Sequence, residues 1–144
     1  MKQPAPILAV ALVGIGAAAG TTLRYLAGLA SPLAGAGSLQ PHLLVTLAIN
    51  LLGSFLLGFL AGWLTTAAAG GTIAIERSAR LRLLLGTGLL GGFTTYSTFA
   101  LEAVTTARAG APLVALGYVV MSVAAGVALA WYGNHLARRR RRQP

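Results

Sequence analysis

Gly91–Glu102 reads GGFTTYSTFALE, and the reading of these residues decides the fold. The stretch lies inside an apolar segment, Leu81 to Ala107, that is long enough to cross a bilayer. Its middle is wrong for a plain membrane helix. Two adjacent glycines weaken the helical ladder. Thr94, Thr95, Tyr96, Ser97 and Thr98 then bring five hydroxyls, and Glu102 follows with a carboxylate. In hydrocarbon, a helix is interrupted only where its freed carbonyls and amides meet protein, water or an ion. Such interruptions recur at the ion and substrate sites of transporters. The sequence predicts a broken helix here, with the functional centre at the break.

The rest of the composition agrees with a membrane setting. Of 144 residues, 56% are hydrophobic and 9% charged, too little charge to cover a water-facing surface. The absence of cysteine excludes disulfides, thiolate metal sites and a nucleophilic thiol. The net charge of +9 raises a nucleic-acid partner, but five of the eleven basic residues form one run, Arg138–Arg142. A basic tail on an apolar chain reads as a topology signal or a contact to anionic lipid. We expect membrane lipid and no nucleic acid as partners.

Outward from the break, three further segments have spanning length, and the fold class is an all-α integral membrane protein of four transmembrane helices. The first runs from about 7 to 29. Its rival reading is a cleavable signal peptide, with Lys2 ahead of the apolar core and Ala17–Ala19 as a cleavage site. The apolar and small residues continue to Leu23, which favours a span. GIGAAAG at Gly14–Gly20 mimics a dinucleotide loop without its strand or its acidic residue. In a membrane helix, Gly16 and Gly20 instead offer a face for close backbone approach. Arg24, near the end of this segment, suits snorkelling to the interface.

A connector of small residues, Ala30–His42, leads to the second segment, about 43 to 66, which starts behind Pro41. Thr46, Asn50 and Ser54 recur every four residues and form one polar stripe. Asn50 near mid-depth reads equally as interhelical glue or as pore lining. Gly58 and Gly62 make a second close-packing face. An aqueous loop with Glu76, Arg77 and Arg80 precedes the third segment, about 81 to 107. The fourth, about 112 to 136, carries Tyr118 and Ser122 on one face and ends in Trp131 and Tyr132, which suit an interfacial belt. Residues 137–144 form a basic tail. There is no internal repeat, and the whole is one four-helix membrane domain.

The polar groups at membrane depth are hydroxyls and an amide, donors without formal charge. Tyr96 and Phe99, three apart, present positive ring edges to an anion or simply pack together. Such a path suits a small, strongly hydrated anion. Glu102 is the only carboxylate in any span, and an intramembrane carboxylate is a functional candidate by default. Arg24 is one candidate partner for it. No phosphate loop is present, and no enzymatic constellation emerges.

With GGFTTYSTF and Glu102 in view, the chain resembles the fluoride channel family, Fluc, also called CrcB. The likeness covers almost the whole length: GTTLR ending at Arg24, INLLGSFLLG with Asn50, the signature at Gly92–Phe99, and Tyr118-x-x-x-Ser122. The resemblance implies a passive fluoride-selective channel, built as an antiparallel dimer with two pores along the subunit interface. It implies a structural, non-transported sodium ion held by main-chain carbonyls, which map to Gly91 and Thr94. The ring pair of the pore maps to Tyr96 and Phe99, and its polar lining to Asn50, Thr98, Tyr118 and Ser122. Arg24 and Glu102 are supporting charges. The first ring is usually Phe in this family, and here it is Tyr. The rivals are a small multidrug-resistance-type exporter, which should carry a glutamate in its first span, and a non-transporting scaffold, which leaves the polar break unexplained.

Charge also predicts orientation. The side shared by both termini and the second loop holds nine of the basic residues: Lys2, Arg77, Arg80, Arg82 and Arg138–Arg142. The other side has Arg108, with Arg24 near a helix end. The positive-inside rule therefore places both termini in the cytoplasm of a bacterial-type cell membrane. An antiparallel homodimer needs one chain to insert both ways, which this bias opposes. We expect a partner subunit that is often a related chain of opposite bias, with a homodimer as the alternative.

Overall fold

A computed structural model describes residues 4–29 and 41–139. All regular structure among them is helical: α1 (Pro6–Gly28), α2 (Pro41–Ala69), α3 (Ile75–Leu81), a π-helical stretch (Arg82–Leu90), α4 (Gly91–Phe93), α5 (Tyr96–Arg108) and α6 (Pro112–Arg139). Three helices are long and apolar enough to cross a membrane: Pro6–Gly28, Leu43–Ala69 and Pro112–Arg139. The pieces from α3 to α5 make the fourth, a long helix bent at its middle. Lys2 and Arg140–Arg142 lie outside the described residues, as do all of residues 30–40 of the connector.

Prolines start three of the helices, at positions where a missing N–H costs nothing. Glycines close α2 and α5. Gly71 (φ 67°) follows α2 and Gly110 (φ 89°) follows α5, each in the left-handed region that side chains avoid. Around them, the amides of Thr72 and Ala111 reach back five residues to the carbonyls of Ala67 and Thr106. These are Schellman closures, and they turn the chain sharply between neighbouring helices.

The third segment starts earlier than the sequence suggests. Helix resumes at Ile75, so Glu76, Arg77 and Arg80 lie on α3 rather than in a loop. Glu76 occupies its first turn and Arg80 its last, the placement that the helix dipole favours. Beyond it the backbone widens: the amide of Gly91 bonds the carbonyl of Gly86, five residues back. Of its two glycines, Gly88 meets α1 at Val13 and Gly16, and Gly86 faces Leu57 and Leu60 of α2.

Glycine seams hold the bundle. A Cβ on Gly16 would collide with the Leu84 carbonyl, and one on Gly20 with the Leu89 carbonyl. The facing glycines answer them: a Cβ on Gly88 would lie 2.8 Å from the Val13 carbonyl, and one on Gly92 2.5 Å from that of Ala17. The close-packing face of the first segment is thus occupied within the chain, by the π stretch and α4. A second seam joins α2 to α6, where Gly58 meets Ala130, Gly62 meets Asn134, and Gly133 meets Phe55 and Phe59. Close backbone approach gains dispersion contacts, the driving force available between helices in lipid. The outer faces stay apolar and bare, with Ile7, Val10, Leu113 and Val127 among the exposed side chains. Trp131 and Tyr132 are exposed too, and Trp131 stacks on His135 with centroids 5.3 Å apart.

Candidate functional site

The break falls at Thr94–Thr95, just past the paired glycines, which are themselves helical. Thr94 (φ −73°, ψ 159°) and Thr95 (φ −143°, ψ 124°) are extended, and α5 begins at Tyr96. Both ends are capped locally. The Thr94 amide and hydroxyl both donate to the Leu90 carbonyl, at 3.0 and 2.9 Å. The Thr95 hydroxyl oxygen accepts the amide of Thr98 at 3.2 Å, the usual service of a threonine N-cap. That hydroxyl also donates to Thr98 Oγ1 at 3.0 Å.

Two other helices serve the break. From α2, Asn50 pairs with Thr95 twice: the Thr95 amide donates to Asn50 Oδ1 at 2.9 Å, and Asn50 Nδ2 donates to the Thr95 carbonyl at 3.0 Å. From α1, Arg24 Nε donates to the Gly92 carbonyl at 3.1 Å. These bonds redirect the helical donors. In an unbroken helix the Thr95 amide would serve Gly91 and the Thr98 amide would serve Thr94. Here the first goes to Asn50 and the second to the Thr95 side chain. The carbonyls of Gly91 and Thr94 have therefore lost their helical partners, and both residues line a common groove. Main-chain oxygens set free in this way form a donor set that suits a hard cation.

That groove, about 330 Å³, is lined by Asn50, Ser54, Gly91, Thr94, Tyr96, Phe99 and Ser122 together with small and aliphatic residues. Among the described residues, no charged side chain lines it. Ser122 Oγ is buried beside it without a hydrogen-bond partner. Tyr96 is 81% exposed, on the open side of the groove. Its ring lies 6.1 Å from that of Phe99, and Phe99 lies 5.2 Å from Tyr118.

The remaining polar residues gather on the far side of the break. Arg24, Thr46, Thr95, Thr98 and Glu102 line a second cleft of about 300 Å³. Glu102 is 6% exposed. Thr46 Oγ1 donates to its Oε1 and the Tyr118 hydroxyl to its Oε2, both at 2.8 Å. Arg24 shares this cleft but gives its hydrogen bond to Gly92, so it is not the partner that holds the carboxylate. The site residues thus divide. Asn50, Tyr96, Phe99 and Ser122 share the groove with Gly91 and Thr94, Thr98 lies in the cleft, and Tyr118 bridges beneath Phe99 to Glu102.

Two residues matter more than the sequence indicated. Thr95 is the pivot of the break, and Thr46 is a donor to Glu102. The second was visible as one member of the stripe Thr46–Asn50–Ser54. All three members of that stripe face the third segment: one meets Glu102, one Thr95, and one the groove.

Residues 11–134 match the family described as CrcB-like protein, Camphor Resistance (CrcB). The chain is 42% identical over 131 residues to a fluoride-specific ion channel FluC of Novosphingobium aromaticivorans, covering 90% of this chain and 96% of that protein. It is 43% identical over 129 residues to the FluC of Chlorobaculum tepidum, covering 90% and 94%. With the FluC of Erythrobacter litoralis it shares 40% over 139 residues, covering 96% and 98%.

Proposed function

The chain belongs to the CrcB-like family, a family of ion channels and not of enzymes, and from that premise we propose that it is a passive, fluoride-selective channel that exports F⁻ from the cytoplasm. The observation that carries the reading is the groove beside the break. Its polar groups are the Asn50 amide, the hydroxyls of Ser54 and Ser122, and the positive ring edges of Tyr96 and Phe99. Neutral donors replace the water shell of a small anion without holding it as tightly as a fixed cation would. The unpartnered Ser122 hydroxyl is one donor free for that task.

The groove is open on one side, where Tyr96 stands exposed. A second subunit in antiparallel orientation would close it, giving one pore for each groove of the dimer. The freed carbonyls of Gly91 and Thr94 would hold a structural sodium ion at the dimer centre, two oxygens from each subunit. Such an ion, when bound, supplies a fixed positive charge and joins the two breaks. The charge bias of the chain favours a related partner of opposite bias over a second identical copy.

Transport needs no coupling ion. HF crosses the bilayer, dissociates in the more alkaline cytoplasm and leaves F⁻ behind. The inside-negative potential then drives the anion out through the pore, at about 2.3 kcal/mol per charge per 100 mV. Asn50 and the ring edges bind, and the apolar walls exclude water.

Reconstitution in liposomes loaded with potassium fluoride tests the function. Valinomycin should start rapid fluoride efflux, with chloride-loaded liposomes showing none. Efflux no faster than from empty liposomes, or equal chloride efflux, refutes the proposal.

A further inference from the structure

We propose that Asn50 is the positioning residue of the cation site, and that it builds the site by taking the Thr95 peptide out of the helical ladder. The inference rests on the reading that the carbonyls of Gly91 and Thr94 hold a cation, and it adds what makes those carbonyls available.

The pairing is two-pointed. Oδ1 receives the Thr95 N–H at 2.9 Å, and Nδ2 gives to the Thr95 carbonyl at 3.0 Å. One side-chain amide thus matches both polar groups of a single residue, as a neighbouring strand does in an antiparallel ladder. A carboxamide presents an acceptor and a donor side by side, and it does so without titrating. Asparagine has the shorter stem, and α2 carries it at the level of the break.

The consequence falls on Gly91. Its natural helical donor is the Thr95 amide, four residues on. While Asn50 holds that amide, the Gly91 oxygen is without it, at a residue that lines the groove. If Asn50 lets go, the Thr95 amide is free to return to Gly91 and the helix heals through the glycine pair. The Thr94 oxygen is released separately, by the Thr95 hydroxyl that takes the Thr98 amide. Asn50 therefore acts on the cation through Thr95 and never touches it. One N–H of Nδ2 remains for the groove, so the residue serves the anion path as well.

The test uses the purified full chain in detergent, with melting temperature followed against sodium concentration, the balance made up by N-methyl-D-glucamine. Fluoride efflux from liposomes is measured beside it. In the unmodified protein, sodium should raise the melting temperature saturably. Asn50→Ala should weaken the sodium midpoint by about tenfold or more, the usual effect of losing a residue that orients ligands, and should also lose efflux. Asn50→Asp keeps the acceptor for the Thr95 amide, so it should keep the sodium midpoint while losing efflux. Asn50→Leu, close in volume, should repeat the Ala result if the Ala variant does not assemble. An unchanged sodium midpoint in both Asn50→Ala and Asn50→Leu, with efflux lost, overturns the inference and leaves Asn50 a pore donor only. A sodium-blind unmodified protein overturns the cation reading itself, and this inference with it.

Discussion

The Tyr118 hydroxyl donates to Glu102 Oε2 at 2.8 Å, tying α6 to α5 at a carboxylate that is 6% exposed. Thr46 supplies the matching bond to Oε1 from α2, so one side chain joins three helices. Removing it strands two buried hydroxyls. Glu102→Ala should cost about 2 kcal/mol or more, since each stranded buried group costs about 1–3 kcal/mol. Glu102→Gln should cost less, roughly 1 kcal/mol, because either hydroxyl can turn to accept from the new amide. Melting curves in detergent distinguish the two. Equal loss in both variants would mean that the charge, and not the bonding pattern, is what α5 contributes.

The seam between α1 and the π stretch makes a sharper forecast. Gly16→Ala drives a methyl into the backbone at Leu84 and Gly88, where no side chain can swing aside. Overpacking of this kind costs about 1–3 kcal/mol. Gly14, two positions earlier, has nothing within 4 Å of its would-be Cβ. Gly14→Ala should therefore be neutral or stabilising by up to about 1 kcal/mol from helix propensity alone. Similar destabilisation at both positions would show that the seam does not set the packing.

Tyr96 stands where the resemblance to the fluoride channels expects Phe. Its ring edge is what the anion path requires, so Tyr96→Phe should leave fluoride efflux within about threefold of the unmodified channel, a change of under 1 kcal/mol. Tyr96→Ala should lower efflux by about tenfold, the equivalent of roughly 1.4 kcal/mol. A dead Tyr96→Phe variant would make the hydroxyl, and not the ring, the working group.

Orientation is tested in cells. With nine basic residues on one side, a C-terminal reporter that signals only in the cytoplasm should be bright, and its periplasmic counterpart dark. Comparable signals from both would establish dual insertion and return the homodimer.

Much of this architecture was legible because lipid imposes long apolar runs and proline starts. The polar stripe on α2 was legible for the same reason: every fourth residue shares a face. The glycine pair suggested a weak ladder, yet Gly92 is small because Ala17 lies against it, and the chain leaves the helix only at Thr94. No residue pattern marks the π stretch, whose widened turns follow from its fit against α1. The partners of Asn50 and Glu102 were hidden because each bond spans more than one helix. Asn50 and Thr95 are 45 residues apart, and Thr46 and Glu102 are 56 apart. The sequence offers Arg24 as one candidate partner for the carboxylate. Geometry gave that role to two hydroxyls.

The paired hydrogen bonds between Asn50 and Thr95 also bear on assembly. The second segment is made first and carries its side-chain amide 45 residues ahead of the peptide that matches it. A lone amide is costly in hydrocarbon, by several kcal/mol for an unsatisfied group, whereas the Thr95 amide can still turn to Gly91 while it waits. The pairing therefore rewards the second segment for meeting the third, and the asparagine that shapes the finished site also draws the two helices together.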